Sequence, residues 1–332
     1  MAKESPDKFT FNVSLSVLDH LGRNLYRSFV TVLGEAISNS WDAGAENVWI
    51  EIDREAGTLL VKDDGQGMTK DDFQNKFLRI GYSKRLDDSV RAWNNRPFIG
   101  RKGIGKLALL SCAQKISVAS KTTTTGYVGG VIDNAGLSAA ISHDLTPDQY
   151  PLLDVDPSVF GNHLKNHLHG TLIHFDGIKE GIRNTVDFIK KTVALYFRFS
   201  LLDDSFRIHV NGDEIGINSL SDLQESTEFL WLLNNPVDPY VQNLVESLGD
   251  ALKEKEVINV PLKLNGFIAS VRKPRDLTIM GMGERVTVDL YVNGRVRERD
   301  IIKHIPTSRV TENYLYGQIH YNDMDDDVDR FT

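Results

Sequence analysis

The chain has 332 residues, with 41% hydrophobic and 25% charged residues and a formal net charge of −8. These values fit a globular protein long enough for two domains and exclude a disordered polymer. No uninterrupted apolar run is long enough to span a bilayer, and the start MAKESPDKFTF lacks the apolar core of a signal peptide, so the expected compartment is the cytoplasm with no membrane partner. The acidic balance opposes nonspecific polyanion binding. Basic clusters at Lys84-Arg85, Arg101-Lys102 and Arg272 to Arg275 read as solvated surface charge, against an acidic tail from Asp323 to Asp329.

In chain order, Val17, Leu18, Leu21, Leu25, Phe29, Val32, Leu33, Ala36 and Ile37 recur at three and four residues, which predicts helix across 15–42 with an interruption near Gly22. Residues 47–52 alternate and 58–62 follow the turn signal Glu55-Ala56-Gly57, so the two read as adjacent antiparallel strands. Residues 79–103 carry Gly81, Gly100, Gly103 and Pro97 in a polar, charged stretch and read as a long loop. Helix is expected at 106–113, where Cys112 reads as a small buried residue, neither ligand nor nucleophile. Strands are expected at 115–121, 126–132, 137–142 and 170–175, with an irregular crossover at 144–168.

A second unit begins near Gly181. Residues 186–199 have helical spacing, 206–210 reads as a strand, and Asn211-Gly212 as a hairpin turn. Residues 219–256, with Trp231, read as helix-rich, and strands are expected at 257–264, 267–272, 287–292 and 314–321, giving an α+β unit. The ending Asp-Arg-Phe-Thr soon after a strand suggests a fragment of something longer.

Four short motifs carry the chemistry. Glu35, Asn39 and Asp42 in GEAISNSWDAGA are four and then three residues apart, on one helix face. VKDDGQGM at 61–68 joins a carboxylate to glycines that let backbone approach a flat ligand. Gly100, Gly103 and Gly105 in IGRKGIGK open a helix whose N–H groups favour phosphate. His169-Gly170-Thr171 lies on a strand. Each alone has a plainer reading, as a solvated helix face, a turn or a generic Gly-rich loop. His163, His167 and His169 are spaced by four and two, but no Cys and no carboxylate pair completes a zinc set, and they read as a surface loop.

The ordered series resembles the GHKL ATPase superfamily of DNA gyrase B, the large heat-shock chaperones, histidine kinases and MutL. DAGA at 42–45 and Asp63 to Gly67 look most like MutL and the MORC ATPases. The resemblance implies an α+β protein: a Bergerat-type ATP-binding α/β sandwich over 1–178, with an ATP lid at about 79–105, then a transducer-like α+β domain over 179–332. The segment before Glu35 is too short for a histidine kinase's phosphoacceptor helices, and LYVNGRVRERDI at 290–301 resembles a MutL transducer.

Carried over to this sequence, the resemblance makes Glu35 the general base for the attacking water and Asn39 the ligand of Mg²⁺. Asp63 would accept the adenine amino hydrogen, supported by Thr171. Asp42, Gly65, Gly67 and Met68 would line the base pocket. Ser83 and Lys84 would belong to the lid, and Gly100, Arg101, Lys102, Gly103, Ile104, Gly105 and Lys106 would hold the phosphates. The implied ligands are ATP and Mg²⁺, and the implied partner is a second copy in an ATP-dependent homodimer, with DNA as a candidate partner of the full-length protein. The expected role is an ATP-operated clamp in DNA processing, repair or genome defence; the alternative is a nucleotide-gated regulatory module or chaperone-like ATPase. The family's basic transducer residue falls near Arg330 or beyond Thr332, so hydrolysis by this chain is expected to be weak.

Overall fold

The computed structural model describes residues 14–17, 20, 29–82, 98, 107, 109, 112–178, 182, 185–197, 205–279, 284–292, 295–305 and 309–324. Helix α1 (Phe29–Asp42) buries Phe29, Val32, Leu33, Ala36, Ile37 and Trp41, the stripe that its three-four spacing dictates. It stops because Gly44 takes a φ of 71° and Ala43 N–H and Ala45 N–H close on Asn39 O and Ser40 O at 2.9 and 3.1 Å, a glycine-terminated helix end.

Strands β1 (Asn47–Asp53) and β2 (Thr58–Asp63) pair antiparallel in a register that sets Val48 opposite Asp63. The chain continues through β3 (Ala113–Lys121), β4 (Val128–Asp133), helix α2 (Asn134–Ser142), β5 (Gly170–Ile178), α3 (Val186–Tyr196), β6 (Arg207–Val210) and β7 (Asp213–Glu214). These strands form a seven-stranded sheet of order β4-β3-β5-β2-β1-β6-β7, mixed because β6 runs parallel to β1. Helices α1 and α3 lie against each other and share one buried core with Val48, Ile50, Val61, Phe175 and Ile208 of the sheet. On the opposite face Phe160 packs with Leu60, Ala119 and Leu172.

A second sheet follows, from α4 (Ser221–Ser226), β8 (Thr227–Leu233), α5 (Pro239–Leu248), β9 (Glu254–Ile258), β10 (Asn265–Val271), the two-stranded β11 (Thr278–Ile279) and β12 (Glu284–Arg285), then β13 (Val288–Val292), β14 (Arg295–Glu298) and β15 (Leu315–His320). Its order is β14-β13-β15-β10-β8-β9. Tyr240 of α5 packs on Phe267 at 5.7 Å between ring centroids. Tyr291 of β13 donates its hydroxyl hydrogen to Leu195 O of α3 at 3.0 Å, tying the second sheet to the first layer. The protein is thus α+β, an α/β sandwich followed by a second helix-backed sheet.

The structure departs from the sequence-based expectations in four places, one being the strand expected at 257–264, of which only 257 and 258 are strand, as the end of β9. Residues 137–142 lie in helix α2, not a strand: Asp133 caps it by accepting from Ala135 N–H at 3.1 Å, and Leu137 and Ala140 share its buried face. The 219–256 stretch supplies β8, an interior strand whose sequence TEFLWLL is aromatic and apolar. A division at 178/179 cuts across the first sheet, because β6 and β7 come from 207–214; Asn47 to Ile50 pair with Arg207 to Val210. Among the described residues no helix is long and apolar enough to cross a membrane.

Candidate functional site

A cleft of about 1310 Å³, counted out to its open mouth, lies between α1, the loop after β2 and the start of β5. Asn39, Asp42, Asp63, Gly67, Met68 and Thr171 all line it, so tertiary structure brings these six expected residues together. Ala36, Val61 and Ile173 supply apolar wall, and Lys76, Phe77 and Tyr82 stand on the side where the described chain leaves the cleft. Glu35 sits on α1 one turn before Asn39, partly buried and outside the cleft lining. Ser83, Lys84 and the segment Gly100, Arg101, Lys102, Gly103, Ile104, Gly105 and Lys106 lie outside the described residues.

Asp63 is the buried anchor, 7% exposed. Its Oδ1 accepts the backbone N–H of Gly65 at 2.9 Å and of Thr171 at 3.1 Å. Its Oδ2 accepts from Ser40 Oγ at 3.2 Å, and that hydroxyl proton is shared with Ala36 O at 3.1 Å. A carboxylate oxygen has two lone pairs: Oδ1 uses both, while Oδ2 keeps one for a donor in the cleft. Burial pushes the Asp63 carboxyl up to about 6, against the lowering pull of these three donors. Thr171 is oriented as well. Ser120 donates its hydroxyl hydrogen to Gly170 O at 2.9 Å, so the 2.9 Å contact between Ser120 Oγ and Thr171 Oγ1 takes its proton from Thr171. The Thr171 oxygen keeps acceptor capacity.

The glycines work through close backbone approach. At Gly67, with φ 68°, a Cβ would lie 1.8 Å from Lys121 O, and at Gly65 it would lie 2.8 Å from the Ala43 Cβ. Gln66 N–H bonds Ala43 O at 2.9 Å, locking the loop to the end of α1. Asp64 secures the same junction: its Oδ1 accepts the N–H groups of Glu46 and Asn47, and its Oδ2 accepts Asn47 Nδ2, all at 2.8 Å. After the loop, Thr69 and Asp72 form a reciprocal capping box, and Lys76 pairs with Asp72 at 2.9 Å.

Sequence reasoning missed Ser40, which looks like an ordinary helix serine; its signal was position, one residue past Asn39 on a helix facing a buried Asp. It also misread His167, which is buried, 4% exposed, rather than part of a surface loop. Its Nε2–H donates to Asp63 O at 3.1 Å. His169 is half-buried, and its Nδ1–H donates to Gly65 O at 2.7 Å.

This geometry, an acidic residue held under a helix and a glycine loop beside an open cleft, matches what a family model finds. The model for the histidine kinase-, DNA gyrase B- and HSP90-like ATPases matches residues 26–149. That segment is a GHKL ATPase-type domain by this match, and relatives of the same kind align with it. It is 27% identical over 331 residues to a putative type II restriction enzyme, HgiDII, of Herpetosiphon aurantiacus, covering 97% of this chain and 50% of that protein. It is 36% identical over 115 residues to the DNA mismatch repair protein MutL of Dictyoglomus turgidum, covering 32% of this chain and 19% of the relative. It is also 31% identical over 131 residues to the chaperone protein HtpG of Bacillus velezensis, covering 32% and 20%. The chain therefore spans about half the length of the first relative and about a fifth of the other two.

Proposed function

We propose that this chain is a Mg²⁺-dependent ATPase that acts as an ATP-operated dimerisation clamp in DNA processing. The observation that carries the reading is the Asp63 carboxylate, buried and triply held, with one Oδ2 lone pair left in a cleft that Asn39, Asp42, Gly67, Met68 and Thr171 also line. The exocyclic amino group of adenine donates to such an acceptor; guanine carries the O6 acceptor at that position and its donors on N1 and N2, so the direction of the lone pair is what can tell the two bases apart. Gly67 lines the cleft and Gly65 does not; both pack against neighbouring chain, at Lys121 and Ala43, which holds the loop at the edge of the cleft. Asn39, between Glu35 and Asp42 on one face of α1, carries a neutral amide oxygen, a hard donor suited to Mg²⁺ beside phosphates.

ATP supplies the phosphoanhydride and Mg²⁺ balances its charge. Within the chain, Asp63 orients the base, Thr171 supports it, and Glu35 takes the proton of the attacking water. The loop with Ser83, Lys84 and 100–106 is assigned to the phosphates and to the lid. Arg330, outside the described residues, is the candidate basic residue from the second unit, a transducer in this reading. The alignment with the restriction-enzyme relative along nearly the whole chain, together with the MutL match, favours DNA processing over chaperone work.

The test is calorimetric titration with Mg-ATP and Mg-GTP, followed by light scattering with and without a non-hydrolysable ATP analogue. ATP-selective binding and a doubling of mass support the clamp. A monomer that binds the analogue without change of mass rejects the clamp and leaves the second reading, a nucleotide-gated regulatory or chaperone-like module, which the HtpG match supports.

A further inference from the structure

His167 and His169 have no assigned role, yet they meet the loop that holds Asp63 at two points of identical spacing. His167 donates to the carbonyl of Asp63 at 3.1 Å and His169 to the carbonyl of Gly65 at 2.7 Å, so the two rings clip alternate carbonyls of one turn. Between them and Thr171, whose N–H holds Asp63 Oδ1, stands Gly170 with φ 116°. The five residues 167–171 thus make three hydrogen bonds to the three residues 63–65. A fourth contact fixes the donor state of the first ring: Tyr127 OH lies 2.9 Å from His167 Nδ1 and its ring lies parallel at 5.9 Å between centroids. Since Nε2 donates to Asp63 O, Nδ1 of a neutral ring must accept from the tyrosine. Burial keeps the ring neutral, lowering it to about 4.

We propose that His167 and His169 are positioning residues for base recognition: they hold the Asp63–Gly65 turn so that Asp63 Oδ2 faces the cleft with its spare lone pair. This rests on the nucleotide reading given above. The physical reason is that a buried carboxylate discriminates between bases only if its free lone pair has a fixed direction. Asp63's own side-chain bonds fix the carboxyl relative to Gly65, Thr171 and Ser40; the two histidines fix the peptide planes that carry it. Neither ring lines the cleft, so they act through Asp63 rather than on the ligand.

The test compares ATP and GTP affinities of the whole chain across paired variants. His169→Leu removes the Nδ1–H donor, and His169→Asn returns an N–H at the equivalent position; His167→Ala and His167→Gln form the same pair for Nε2–H. Losing one such bond should weaken ATP binding about three- to tenfold while GTP binding changes less, so the ATP-to-GTP ratio falls, and the Asn and Gln variants should recover most of the ratio. A ratio within about twofold of the parent in His169→Leu, or no recovery in His169→Asn, overturns the proposal. His169 is half-buried and its pair decides the matter even if His167→Ala fails to fold. If the parent chain itself binds no ATP, the nucleotide reading fails instead.

Discussion

The α-carbon of Gly170 faces the backbone of Asp63 so closely that a Cβ at Gly170 would lie 2.1 Å from Asp63 O. No side chain fits there without moving one of the two strands that carry the site. Gly170→Ala and Gly67→Ala should each destabilise the fold by roughly 2–4 kcal/mol, from clash plus the left-handed backbone. Gly57→Ala has a similar φ of 68° but nothing within 4 Å, so it should cost only about 1 kcal/mol. Urea denaturation of the three variants checks the order; equal losses at all three would remove the close-approach argument.

Asp63 sets a pH dependence with a definite sign. Its folded value of about 6 exceeds the ordinary 3.8 because of burial, so the folded state favours the protonated acid. Its contribution to stability is full below the unfolded value and is lost as pH rises through about 6. Measured against Asp63→Asn, the parent chain should lose on the order of 2–3 kcal/mol between pH 4 and pH 7. Base recognition by Asp63 should run the other way, because the ionised carboxylate is the better acceptor. ATP affinity should fall below about pH 6, and this fall should be smaller in Asp63→Asn, measured by titration at several pH values.

Asp64 should matter for stability rather than for ligand contact. Its carboxylate accepts three hydrogen bonds from Glu46 and Asn47, which join the loop after β2 to the start of β1. Asp64→Ala leaves those donors without their acceptor and should cost on the order of 2–3 kcal/mol. Chemical denaturation reports it, and a loss under half of that would mean water replaces the carboxylate.

Glu35 should separate binding from turnover. It lies on α1 outside the cleft lining, so Glu35→Ala should keep nucleotide affinity within about threefold and lower hydrolysis by at least about 10²-fold. Phosphate release under single-turnover conditions measures this. Full activity in the variant would remove Glu35 as the base.

Much of the site was legible because its elements are local. The three-four spacing from Phe29 to Trp41 dictates α1, and Gly44 after Asp42 dictates where it stops. Val48, Ile50 and Ile52 alternate into the core, so the strand bearing them could be read without its partners. Residues 137–142 were not legible, because a run of Leu, Ala, Ile and Ser fits either period and the Asp133 cap decides it. Strand β8 was hidden for a similar reason: Thr227 to Leu233 becomes interior by pairing with β10 on one side and β9 on the other.

The sequence by itself carried the resemblance to the GHKL ATPases, the helix face bearing Asn39 and Asp42, and the glycine loop after Asp63, since these depend on residue type at fixed short spacing. Tertiary structure alone decided that β6, from beyond residue 200, completes the first sheet beside β1. It also decided that Ser40 reaches Asp63 across 23 residues and that His167 and His169 grip a turn 104 residues away. Hydrogen bonds between distant segments leave no periodic trace in a chain; they exist only once burial has removed the water that would otherwise satisfy each donor and acceptor.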